Sequence, residues 1–138
     1  MAVLKAACFL LLFAGRGDAQ IYYCALTDVV TITVDGSFAP FPLKDSVLKT
    51  QLVVDTDSGK VFHPFFGNSQ YDFLTILDHG SEISAFKVVA NSKESSRLED
   101  GVAGFRNAAF FQLFTYEEGT KKPFMAIDAN GMAIGVCE

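Results

Sequence analysis

The sequence predicts an all-β protein: one small antiparallel β-barrel domain, with a two-layer β-sandwich as the alternative. Three observations predict it. Turn-forming residues recur along the chain. The segments between them are rich in Val, Ile, Thr, Phe and Tyr and alternate with period two. Two cysteines stand near the two ends of the expected mature chain, so those ends must meet.

The chain has 138 residues and a formal net charge of −5. That length suits one domain. Half of the residues are hydrophobic, far too many for a disordered chain. A sequence pI near 4.9 excludes the basic surface that nucleic acids or anionic membranes require, so no nucleic-acid partner is expected.

Residues 1–19 read as a secretory signal peptide. Lys5 supplies the positive n-region, Ala6 to Ala14 the apolar run, and Gly17-Asp18-Ala19 the small residues before a cut at Gln20. The run is too short to span a bilayer, which takes about 20 residues, and no later stretch reads as a membrane anchor. The Arg16-Gly17-Asp18 tripeptide is removed by that cut and carries no argument. Cys8 precedes the longest apolar run instead of following it, which is the wrong order for a lipoprotein signal. The expected domain runs from Gln20 to Glu138, and the expected location is extracellular or the bacterial periplasm.

That domain keeps two cysteines, Cys24 and Cys137. In an exported protein an even number of cysteines implies a disulfide, and here only one intramolecular pairing exists. It closes nearly the whole domain, and the loop-entropy account gives a ceiling of about 5 kcal/mol for such a bridge. Its Cα atoms must lie within about 7 Å. First and last segments are therefore neighbours, which favours a barrel because closure pairs the ends and removes edges.

Turns are expected at Asp35-Gly36, Asp55 to Gly59, Gly67-Asn68-Ser69, Asp78 to Ser81, Glu118-Gly119-Thr120 and Asp128 to Gly131. Between them about eight strands are expected. Val30, Ile32 and Val34 share one face, Phe86 and Val88 another. Met132, Ile134 and Val136 face away from Ala133, Gly135 and Cys137. Phe73 to Leu77 and Ala108 to Tyr116 are apolar on both faces and read as central strands. Phe38 to Pro42 and His63 to Phe66 contain proline and cannot be central. Ser92 to Ala103 is the most polar stretch and reads as a loop.

Motifs for chemistry are few. Asp78-His79-Gly80-Ser81 contains the three residue types of a hydrolytic triad, but neighbours in one turn diverge, whereas a triad converges from separate segments. It reads as a hairpin turn. Asp55 to Gly59 begins like a calcium loop, yet the sixth and twelfth positions hold Lys60 and Phe66 instead of Gly and Glu. No metal site and no cofactor are expected.

The feature that exceeds a plain β domain is its aromatic content, with fourteen Phe and no Trp. Phe38, Phe41, Phe62, His63, Phe65 and Phe66 flank the proline-containing loops. Structurally they would plug the barrel end; functionally they would form a patch for a small apolar ligand or a protein. At fold level the pattern resembles lipocalin-like barrels, but a chain without Trp lacks their Gly-x-Trp signature, and fold likeness does not transfer function. The expected function is an exported, non-catalytic binding or interaction module. The alternatives are a small hydrolase using dispersed residues such as Asp72, Asp78 or His79, and a component of an envelope or extracellular assembly.

Overall fold

The computed structural model describes residues 19–92, 108–129 and 131–138. Within them one antiparallel sheet curls into a nearly closed barrel. Its strands are β1 (Ile21–Ile32), β2 (Phe38–Pro40), β3 (Gln51–Asp55), β4 (Lys60–Phe62), β5 (Phe73–His79), β6 (Phe86–Asn91), β7 (Ala108–Leu113), β8 (Lys122–Asp128) and β9 (Gly131–Cys137). The order around the barrel is β4-β3-β1-β9-β8-β7-β6-β5, with β2 also on β1. One short helix, α1 (Lys44–Val47), follows β2. Among the described residues no helix is long and apolar enough to cross a membrane. The expected leader, apart from Ala19, and the polar stretch after Ser92 lie outside the described residues.

The turn signals work as hairpin chemistry. Gly36, Gly59, Gly80 and Gly119 all take positive φ in the connections β1–β2, β3–β4, β5–β6 and β7–β8. Asp35 organises the first of these. Hydrogen bonds from the Thr33 and Ser37 hydroxyls and the Ser37 N–H hold its carboxyl down at about 2. Asp55 does the same in the second, where it accepts the Ser58 hydroxyl at 2.6 Å and the Asp57 N–H at 3.0 Å. That is a β3–β4 hairpin turn, as the sequence indicates.

Strand β1 is long because it serves two neighbours on one edge. Ile21 to Ala25 pair with β3, and Val30 to Ile32 pair with β2. Its other edge pairs with β9 along most of its length, with a bulge between Leu26 and Asp28. Cys24 lies directly opposite Cys137 in that ladder, at a Cα separation of 3.8 Å, and the two sulfurs are bonded. The ends of the domain meet as strand neighbours.

The interior is layered. One layer runs Phe86, Leu113, Phe124, Gly135 and Leu26 across five adjacent strands; the next runs Val88, Phe111, Ala126, Ala133 and Val29. Phe86, Phe111, Leu113 and Phe124 supply the bulk of these layers, and small Ala126, Ala133 and Gly135 leave room for it. Phe111 and Phe124 stack with centroids 5.6 Å apart. The ring of Phe124 occupies the space above Gly135: a Cβ there would come within 2.6 Å of it and 2.1 Å of the Ala25 carbonyl. On β9 the small residues therefore face inward, and Met132, Ile134 and Val136 face out. Likewise Val29 is the buried member of its β1 segment, while Val30 and Ile32 point outward.

One strand differs from its expected position. Phe73 to Leu77 is not central: among the described residues β5 is the last strand of the sheet and pairs only with β6. Its apolar residues on both faces reflect a position beside the open seam, with Ile76 packed on the core and Phe73 and Leu77 half exposed. Of the expected strand Ala108 to Tyr116, Ala108–Leu113 is central, with β6 and β8 on its two sides, and Phe114 to Tyr116 lie in the turn that follows.

The seam lies between β4 and β5. Asn68, buried in the connection between them, seals the β4 side. Its Oδ1 accepts the Val61 N–H at 2.8 Å, its Nδ2 donates to the Gly59 carbonyl at 2.8 Å, and its own N–H donates to the Val61 carbonyl at 2.8 Å. One residue thus satisfies the edge groups a further strand would take.

Candidate functional site

The six aromatic-loop residues divide into two groups. Phe41 and Phe66 are buried in the core, with ring centroids 5.5 Å apart, and half-buried Phe65 meets Phe41 edge-on at 5.9 Å. Phe38 and Phe62 are on the surface, 65% and 47% exposed. The first group closes the end of the barrel where α1 and the β4–β5 connection meet; the second faces solvent.

His63 fixes that closure. Its Nδ1 accepts the Phe66 N–H at 3.0 Å and the Phe65 N–H at 3.2 Å. With Nδ1 accepting, the proton sits on Nε2, which donates to Thr50 Oγ1 at 2.6 Å. The Thr50 hydroxyl then donates to the Val47 carbonyl at 2.6 Å. Burial pushes the imidazole below its ordinary value, which keeps it neutral as this network needs. His63 is therefore tied to backbone on both sides and acts as a cross-brace.

The hydrolase residues do not converge. Asp72 precedes β5 and His79 ends it, so the length of a seven-residue strand, about 20 Å, separates them. Asp78 accepts the Gly80 N–H at 2.9 Å and the Ser84 hydroxyl at 3.1 Å, the hydrogen bonds of a turn. Among the described residues no group of three or more His, Cys, Asp or Glu could hold a metal ion.

The interior leaves little space at the seam. The cavity between Val61, Phe66, Val88 and Phe111 measures about 10 Å³, room for one water at most. Larger depressions lie on the surface. One of about 370 Å³ is lined by Gln20, Tyr22, Thr56, His79 and Glu82 at the barrel end opposite the Phe41 cluster. Another of about 450 Å³ lies outside the disulfide, between Tyr23, Thr27, Gln51 and Lys121.

The most distinctive surface is on the barrel wall. The registers align Val89, Phe110, Ile127, Met132 and Val30 in one row across five strands. All five are outward-facing and at least partly exposed. Met125 and Ile134 extend the row on one side, and the Ile32–Phe38 pair extends it on the other. Ile32 is 64% and Ile134 41% exposed. Polar groups border it: Lys87 opposite Asp78, Gln112 beside Met125, and Asp28 in an ion pair with Lys44. An antiparallel barrel normally turns polar residues outward on this face. Sequence reasoning missed this surface because it depends on how five strands align. The available signal was the contrast of large Met132, Ile134 and Val136 with small Ala133 and Gly135 on the opposite face.

No protein-family model matches the chain, and no match is found among curated proteins or solved structures.

Proposed function

We propose that this chain is an exported, non-catalytic interaction module that binds a protein partner through its outer wall. The observation that carries the reading is the apolar row Val89–Phe110–Ile127–Met132–Val30, rimmed by polar side chains. Contiguous apolar surface with a polar border is the usual composition of a protein-binding patch. The seam cavity among the described residues has no room for an organic ligand, and the reading puts the partner on the surface. Phe38 belongs to this patch through Ile32; Phe41, Phe65 and Phe66 support the frame behind it.

The test compares the oxidised mature protein with the double variant Ile127→Lys, Ile134→Lys as baits in the native extracellular or periplasmic fraction. Both residues are surface positions on adjacent strands, so thermal unfolding should change little. The reading expects one partner retained by the wild type and lost by the variant. Equal capture by both proteins, or capture by neither, would overturn it.

A further inference from the structure

The barrel end opposite the Phe41 cluster presents Gln20, the residue just before β1. We propose that Gln20 is a modification site, the N-terminal residue of the exported chain closed into a pyroglutamyl lactam. The inference rests on the reading of the chain as exported, since it requires the cut after Ala19.

The chemistry is intramolecular. The α-amine freed by the cut attacks the side-chain amide carbon, Cδ, of the same residue. An N–Cδ bond forms and the Cδ–Nε2 bond breaks. The proton released by the amine passes to Nε2, which leaves as ammonia. No oxidant, reductant or metal enters the balance. The product has one N–H donor and one carbonyl acceptor, and it carries no charge.

The surroundings of Gln20 suit that product. Its N–H donates to Thr56 Oγ1 at 3.1 Å, so a single acceptor faces the nitrogen that the lactam would retain as N–H. Its main-chain carbonyl accepts the Thr56 N–H at 3.1 Å and the Thr56 hydroxyl at 3.0 Å, which fixes the residue against the end of β3. The Tyr22 hydroxyl donates to the side-chain Oε1 at 2.6 Å and is a donor at hand for the lactam carbonyl. The leaving nitrogen, Nε2, makes no hydrogen bond with the described residues, so its loss breaks no contact. The depression of about 370 Å³ around Gln20 gives the ring room to turn.

The cap would protect the first strand. β1 begins at Ile21 and carries Cys24, so trimming from a free amine would run directly into the strand that holds the disulfide.

Intact-mass and N-terminal peptide analysis of the exported protein tests the proposal. The expected chain begins at Gln20, is lighter by one ammonia than the free-amine form, and is opened to sequencing only by pyroglutamyl aminopeptidase. Gln20→Asn should begin at the same position and keep its amine, because the shorter side chain cannot close the five-membered ring. A chain beginning at Gln20 with a stable free amine would overturn the lactam and leave export standing. A chain that retains residues 1–19, or begins elsewhere, would overturn the cut and the lactam together.

Discussion

The side chain of Asn68 accepts the backbone N–H of Val61, and the backbone N–H of Asn68 returns a hydrogen bond to the Val61 carbonyl, both at 2.8 Å. This two-way exchange is the pattern of a strand pair, made here by one residue of a connection. It ends the sheet at β4 and leaves the barrel open only toward β5. Asn68→Leu would strand two buried backbone groups, the Val61 N–H and the Gly59 carbonyl. Each such group costs about 1–3 kcal/mol, so a loss of about 2–6 kcal/mol is expected. Urea unfolding should show a lower midpoint with an unchanged slope. A loss below about 0.5 kcal/mol would mean that water reaches this edge.

The disulfide should carry a comparable or larger share of the stability. It joins positions separated by 113 residues, for which the loop-entropy account allows up to about 5 kcal/mol. The double variant Cys24→Ala, Cys137→Ala leaves the β1–β9 ladder in place but frees the unfolded chain. Its unfolding midpoint in urea should fall steeply, and reductant should reproduce the fall in the wild type. Equal midpoints with and without reductant would show that the bridge does not form in the protein.

Some of this architecture was legible in the residues and some was not. Period-two alternation and Gly-containing turns identified antiparallel strands, and Cys24 with Cys137 placed the first and last strands together. Alternation distinguishes two faces of a strand but does not say which one is the core. On β9 that choice was made by Phe124, whose ring fills the space over Gly135 and sends Ile134 outward. Phe73 to Leu77 read as central because apolar residues on both faces also describe a strand beside an open seam. The aromatic loop was recognised as unusual, but its division into buried Phe41 and Phe66 and exposed Phe38 and Phe62 follows from tertiary packing.

Gly135 tests the account of the layers. Its backbone needs no special φ, so Gly135→Ala isolates the effect of volume. The added methyl would meet the Ala25 carbonyl at 2.1 Å and the Phe124 ring at 2.6 Å, and the carbonyl is held in the ladder. Overpacking of this kind costs typically about 1–3 kcal/mol, and the upper end is expected here because one contact is backbone. Phe124→Leu in the same chain should recover the part due to the ring. A neutral or stabilising Gly135→Ala would refute this arrangement of β9.

His63 predicts a pH dependence whose sign is set by its contacts. Burial lowers the imidazole in the folded chain, and the Phe65 and Phe66 N–H groups bind the unprotonated Nδ1. The unfolded chain takes up a proton near the ordinary value of about 6.5. Above that pH both states are neutral and the contribution is fully present. As pH falls below it, the unfolded state binds a proton that the folded state refuses, and stability declines. The decline ends once pH has passed the lowered folded value. Denaturation midpoints measured from pH 7.5 downward should show this slope, and His63→Gln should flatten it below about pH 6.5. An unchanged slope in the variant would remove His63 as its source.

Leu43 offers a prediction in the stabilising direction. It comes after Pro42 and takes φ 63° and ψ 24°, a left-handed conformation that is strained for a bulky side chain. The Lys44 N–H bonds the Phe41 carbonyl at 3.1 Å, which makes Phe41 to Lys44 a turn with proline at its second position and a required positive φ at its third. Leu43 is 70% exposed, so little burial is lost when the side chain is removed. Leu43→Gly should raise stability by about 0.5–1 kcal/mol, the relief of strain exceeding the extra freedom of the unfolded chain. Leu43→Ala keeps the Cβ and should gain nothing. Equal midpoints for the Gly and Ala variants would show that the turn relaxes to negative φ in solution.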